Sequence, residues 1–85
     1  MTAIEKLIKT AESQIGYLEK ATNENLDDPT ANAGYNNWTK YARDIDQEHP
    51  GFYNGKKNGY SWCDVFVDWC YIKTFGASMA QKLLN

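Results

Sequence analysis

The residues best equipped for chemistry lie together in the last third of the chain. They are Ser61-Trp62-Cys63-Asp64, with a second cysteine, Cys70, seven positions on. Ser61 followed three residues later by Asp64 is a capping-box pattern, so the spacing predicts Ser61 as N-cap and Cys63 in the first turn of a helix. In that turn the backbone N–H groups lack helical acceptors and the macrodipole is positive, which favours a thiolate. Such a thiol is a candidate nucleophile, and the same N–H groups can donate to the oxyanion of a tetrahedral intermediate. The competing reading is that the sulfur is a small hydrophobe, because cysteine is among the most buried residue types. Residue types and spacing leave both open for Cys63. For Cys70, flanked by Trp69 and Tyr71, they favour the core. Asp64 reads as a cap, Asp68 as a solvated edge, and His49, the single histidine, as a surface-loop residue.

The two cysteines do not pair with each other if one helix carries both. Seven residues at about 1.5 Å rise separate their Cα atoms by roughly 10.5 Å, beyond the reach of about 7 Å that a disulfide allows. His49 lacks zinc-ligand spacing to either cysteine, so no metal site is expected from these residues.

Four helical segments must position the candidate nucleophile. Thr2 with Glu5 forms a capping box, and Ile4, Leu7, Ile8, Ala11, Ile15 and Leu18 recur at helical spacing, which predicts a helix over 2–15 ended by Gly16. Residues 17–36 read as a long ordered loop, rich in Asn, Asp, Pro and Gly whose side chains favour turns. Asn36 or Asn37 is expected to cap a second helix over 37–46, with Trp38, Tyr41, Ala42 and Ile45 on one face. His49-Pro50-Gly51 terminates it. Residues 47–61 form a second loop with turn signals at Tyr53-Asn54-Gly55 and Asn58-Gly59. The third helix, 62–75, is apolar nearly all round and is therefore expected at the centre of the fold. Gly76 stops it, and a short helix over 78–84 completes a mostly α chain.

Composition narrows the functional classes. The chain has 85 residues, 42% hydrophobic and 14% aromatic, which argues for one small folded domain rather than disorder. Nine basic against eleven acidic residues give a net charge of −2 and no basic stripe, so nucleic acid is not an expected partner. Apolar runs fall short of the ~20 residues needed to span a bilayer, and Met1 to Lys9 lacks a signal-peptide core. A soluble domain without a membrane or secretion segment is expected.

Three ordered blocks then carry a family resemblance: QIGYLEK (Gln14–Lys20), NNWTKYARD (Asn36–Asp44) and GYSWCDVFVDWCYIKTFG (Gly59–Gly76). Together they resemble the CHAP family, cysteine- and histidine-dependent amidases and peptidases of the papain-like superfamily that cut peptidoglycan. Such domains are common in phage endolysins and bacterial autolysins. The resemblance implies that Cys63 is the nucleophile and Trp62 a wall of the site, with Tyr53 and Tyr60, beside Phe52, contributing to substrate binding. It also implies a papain-like α+β fold, of which these residues would be the helical N-terminal half, with the sheet portion absent. Family members supply a general-base histidine from strands after the catalytic helix, and no histidine follows Cys63 here. The expectation is a peptidoglycan hydrolase, amidase or endopeptidase, inactive as these 85 residues alone. It would act at the cell wall, made without a signal peptide and released on lysis in the manner of a phage enzyme. Some family members bind calcium near the first helix. Glu19, Glu24, Asp27, Asp28 and Asn32 offer hard oxygen ligands, but their spacing departs from an EF-hand loop and fits solvated turns. A reading from another class is a non-catalytic cell-wall-binding or assembly module that keeps the helical part of the fold. A central helix without its sheet further predicts self-association, docking of a missing C-terminal segment, or cover from the last helix.

Overall fold

The computed structural model describes residues 2–53, 55–56 and 61–84. Among these residues it holds four helices, α1 (Ala3–Glu12), α2 (Lys40–Glu48), α3 (Cys63–Phe75) and α4 (Ala77–Leu84), and no strand beyond isolated bridges. The mostly α expectation is met. Helix α3 is central: α1, α2 and α4 each pack against it.

Each helix begins and ends for a local reason. In α1 the capping box forms, with the Thr2 hydroxyl accepting from the Glu5 N–H at 3.1 Å. The helix stops at Glu12 rather than continuing to 15. Gln14 and Ile15 donate to the carbonyls three residues back, Ala11 and Glu12, and Gly16 then turns at φ +94°. The apolar stripe is only partly used. Leu7 and Ala11 pack on the core, whereas Ile4, Ile8, Ile15 and Leu18 stay exposed.

Helix α2 begins at Lys40, later than the Asn-capped start at 37. Asn37 is in the left-handed region at φ +63°, and Trp38 pairs its backbone with Lys20, which removes both residues from the helix. Thr39 is the cap instead, accepting from the Ala42 N–H at 3.3 Å. The helix runs on to Glu48, with His49 as C-cap. Of the expected face, Tyr41, Ala42 and Ile45 are fully buried.

Helix α3 starts one residue later than the Ser61 cap requires. Trp62 holds the N-cap position and makes no side-chain cap bond, and its carbonyl receives the Phe66 N–H at 2.8 Å. Gly76, at φ +88°, ends the helix as expected, and α4 begins at once with Ala77. Val65, Trp69, Cys70 and Ile72 of α3 enter the core, and Ala80 of α4 is fully buried. The short last helix thus provides part of the cover for α3.

The loop from Tyr17 to Thr39 is ordered by its own polar groups. Three asparagines, Asn25, Asn32 and Asn37, adopt positive φ, a conformation Asn tolerates better than most residues. The Asp28 carboxylate accepts from the N–H groups of Thr30 and Ala31 in an Asx-type turn. The amide of Asn32 donates to Thr22 and to the Glu24 carbonyl. Lys20 bridges to both Ala33 and Trp38. The loop is tied to the helices by Tyr17, whose hydroxyl donates to the Leu26 carbonyl at 2.6 Å and accepts the Lys40 N–H at 2.9 Å. A second tie is Arg43, which grips Asp27 through two guanidinium N–H groups at 2.9 and 2.5 Å.

Candidate active site

Two turns of α3 separate two different sulfur environments. Cys63, the first residue of the helix, is exposed, and Cys70 is buried; both are free thiols. Burial pushes the Cys70 thiol up to about 11. Cys70 is therefore the core hydrophobe expected of it. Cys63 has the exposure and the helix-terminal position that a nucleophile needs.

Aromatic packing fixes the start of α3. The Tyr41 ring, with no exposed surface, stacks on Trp62 at 5.8 Å between centroids and meets Phe66 and Trp69 edge-on at 4.8 and 4.9 Å. The Trp62 indole N–H reaches the Glu19 carboxylate at 3.4 Å, and the other Glu19 oxygen accepts the Asn37 N–H at 2.9 Å. Farther along α3, the Trp69 indole N–H donates to Asp44 at 3.0 Å, and Asp44 in turn accepts from Arg43. One polar chain, Asp27–Arg43–Asp44–Trp69, so joins the loop, α2 and α3. Its hydrogen bond to Arg43 holds the Asp27 carboxyl below the usual range.

Trp62 lines two clefts. One, of about 300 Å³, lies between Tyr17, Leu18, Glu19, Ala33, Gly34, Tyr35 and Trp62. The other, of about 200 Å³, is formed with Ala11, Gln14, Ile15, Tyr17, Tyr41 and Phe66. Tyr53 belongs to a different cleft of about 350 Å³, with Phe52, Asp64, Val67, Asp68 and Leu84. Its hydroxyl hydrogen-bonds the Asp68 carboxylate. Burial raises the Asp68 carboxyl above its ordinary value, and the Tyr53 bond opposes that shift. Burial, then the Asp68 bond, raises the Tyr53 phenol far out of the physiological range. Asp68 is thus a half-buried acceptor and not the solvated edge read from spacing. Cys63 follows the residue that walls the first cleft and precedes Asp64, which lines the third.

Trp62 and Cys63 are adjacent by sequence, whereas Tyr53 is held with Asp68 in a cleft that Trp62 does not line. Tyr60 lies outside the described residues. His49 uses its backbone N–H on Ile45 and its carbonyl on Phe52 as the cap of α2. Of the oxygen ligands considered for calcium, Glu19 contacts Asn37 and Trp62, Asp27 pairs with Arg43, and Asp28 closes its own turn. Among the described residues no group of three His, Cys, Asp or Glu side chains is placed to hold a metal. No helix among them is long and apolar enough to cross a membrane.

Sequence reasoning undervalued Glu19 and Tyr35. Spacing suggests Glu19 only as a metal ligand, yet it accepts from the Trp62 indole and lines a cleft. A signal was present, since an exposed-loop tyrosine amid Asn and Gly, as in Asn32-Ala33-Gly34-Tyr35, buries nothing and is free to meet a ligand. No family model matches the chain, and no curated protein or solved structure matches it.

Proposed function

We propose that these residues carry the nucleophile and part of the substrate cleft of a thiol-dependent amide hydrolase of the CHAP type, acting on peptidoglycan. The observation that supports it most is the pairing of an exposed Cys63 at the first position of α3 with a neighbouring Trp62 held rigidly by Tyr41 and Glu19. The Trp62 cap supplies no side-chain acceptor, so the first-turn N–H groups of α3 are not engaged by the cap residue and can serve a developing oxyanion. In the reaction, the Cys63 sulfur attacks an amide carbonyl and forms a C–S bond. The tetrahedral intermediate then collapses, the C–N bond breaks, and the amine leaves with a proton. Water hydrolyses the thioester, releasing the acid and restoring the thiol.

The proton acceptor and donor in those steps is a histidine in the CHAP reading. No histidine follows Cys63 in these residues, so a base placed as in that family is not among them. The 85-residue chain alone should then acylate but turn over slowly.

An activated substrate separates these steps. With N-acetyl-alanine p-nitrophenyl ester, the chain should acylate at Cys63 at least about tenfold faster than N-acetylcysteine, reflecting oxyanion donors that a free thiol lacks. Intact mass should show one stable acyl group, lost in Cys63→Ser and kept in Cys70→Ser. A rate no greater than that of N-acetylcysteine would discard the catalytic reading in favour of a non-catalytic module.

A further inference from the structure

We propose that the cleft beside Trp62 is a subsite for an aliphatic ammonium group on a peptide, such as the side chain of a diamino acid, with Glu19 as its counter-charge. The assignment deepens the hydrolase reading and rests on it for the claim that the peptide is substrate.

The cleft is a built feature. Its wall from Ala33 to Tyr35 lies against Glu19 and Ala21 because Gly34 has no side chain: a Cβ there would meet the Ala21 Cβ at 2.6 Å and its Cα at 2.8 Å. The Gly34 N–H donates to the Glu19 carbonyl at 3.1 Å, and the Ala21 N–H to the Asn32 carbonyl at 2.9 Å. Lys20, fully buried and bridged to Ala33 and Trp38, locks the same turn from within. About 300 Å³ of space results, at the small end of ordinary ligand sites.

Its chemistry selects the ligand. Glu19 is the acidic residue of the lining, and both its oxygens touch neutral donors, the Asn37 N–H at 2.9 Å and the Trp62 indole at 3.4 Å. Among the described residues no ion pair reaches it. A carboxylate accepts at about four lone-pair positions, so capacity is left for a charged donor. Tyr17, Tyr35 and Trp62 line the same space. The Tyr17 ring already has the Lys20 and Lys40 ammonium groups at 4.8 and 5.4 Å from its centre, so Tyr35 and Trp62 are the faces left to attract a further cation. Tyr35 is 95% exposed, which places an uncommitted ring at the rim. A carboxylate with no ion pair among the described residues, flanked by the Tyr35 and Trp62 rings, fits an ammonium on an aliphatic stem. Trp62 of this lining immediately precedes Cys63 in the chain, and Cys63 itself is not part of the lining.

The test is a titration of the 85-residue chain, followed by amide and indole NMR signals, with N-acetyl-alanyl-lysine amide and its Nε-acetyl counterpart as probes. The ammonium probe should move the Trp62 indole N–H and the Gly34 and Tyr35 amides, with an affinity on the order of millimolar. The acetylated probe should bind at least about tenfold more weakly, and added salt should weaken the first probe more than the second. Glu19→Gln, which keeps an acceptor for Asn37, should lose the preference. Tyr35→Ala, at an exposed ring, should weaken the ammonium probe several-fold without altering the fold. Equal binding of the two probes, shifts confined to other clefts, or no shifts would overturn the proposal. Should Glu19→Gln fail to fold, the two probes on the unaltered chain decide alone. Acylation of Cys63 without ammonium binding would remove this subsite and leave the hydrolase reading; ammonium binding without acylation would do the reverse.

Discussion

Cys63 and Cys70 share one helix, one residue type and similar aromatic neighbours in sequence, yet the fold gives them opposite surroundings, one exposed and one buried. At Cys70, Trp69 and Ile72 are buried beside it, Tyr41 packs against Trp69, and the thiol is withdrawn from water. At Cys63 the helix has just begun, and the residue is exposed. Position along a helix decides how many backbone N–H groups an anion finds. Position relative to the other helices decides whether solvent and substrate can reach it. The contrast teaches that one apolar helix can hold an exposed thiol at its start and a buried one two turns on.

The largest break of this contrast should come from Tyr41→Ala. Removing a fully buried ring that touches Tyr17, Trp62, Phe66 and Trp69 should cost about 3–5 kcal/mol in denaturant unfolding. Cys70 should then label readily, erasing its difference from Cys63. Next in size is Asp44→Ala, which leaves the buried Trp69 indole N–H without its acceptor and Arg43 without one of its carboxylates. A loss of about 1–3 kcal/mol is expected, with the Asp27–Arg43 pair surviving at the surface.

Alkaline titration sharpens the same comparison. The Cys70 pKa is raised on folding from 9 to about 11. Between those values the unfolded chain has lost the proton and the folded chain keeps it, so folding stability falls as pH rises. Cys70→Ala should flatten that part of the pH–stability curve, and Cys63→Ala should leave it unchanged. The smallest effect is at the start of α2: Thr39→Ala should cost about 1 kcal/mol through the lost Ala42 cap, with no change in either thiol.

Much of this architecture was legible because it rests on local rules. The Thr2–Glu5 box, the glycine stop at 76, the central place of the most apolar helix and the burial of Cys70 all follow from spacing and residue type. What escaped prediction depends on distant partners. The start of α2 is displaced because Trp38 pairs with Lys20, eighteen residues away in the chain. Asp68 looks solvated by helical spacing, and only the return of the second loop brings Tyr53 onto it. Lys20 is a charged residue with no exposed surface, its ammonium lying 4.8 Å from the centre of the Tyr17 ring. Burial lowers its pKa, and no local pattern announces such a site. Cys63 could be placed in the first turn from the capping pattern even though the cap itself is Trp62 and not Ser61, because a one-residue shift still leaves it there.

The most direct measurement is native-state alkylation with iodoacetamide, read by mass for each cysteine, with Cys63→Ser and Cys70→Ser as controls. The account predicts one labelled site in the folded chain, lost in Cys63→Ser, and a second that appears only with denaturant. Rates at the two thiols should differ by a factor of about a thousand or more, since Cys70 reacts only when its helix packing opens. Labelling of both at comparable rates, or of neither until unfolding, would contradict the division of α3 into a reactive start and a sealed middle.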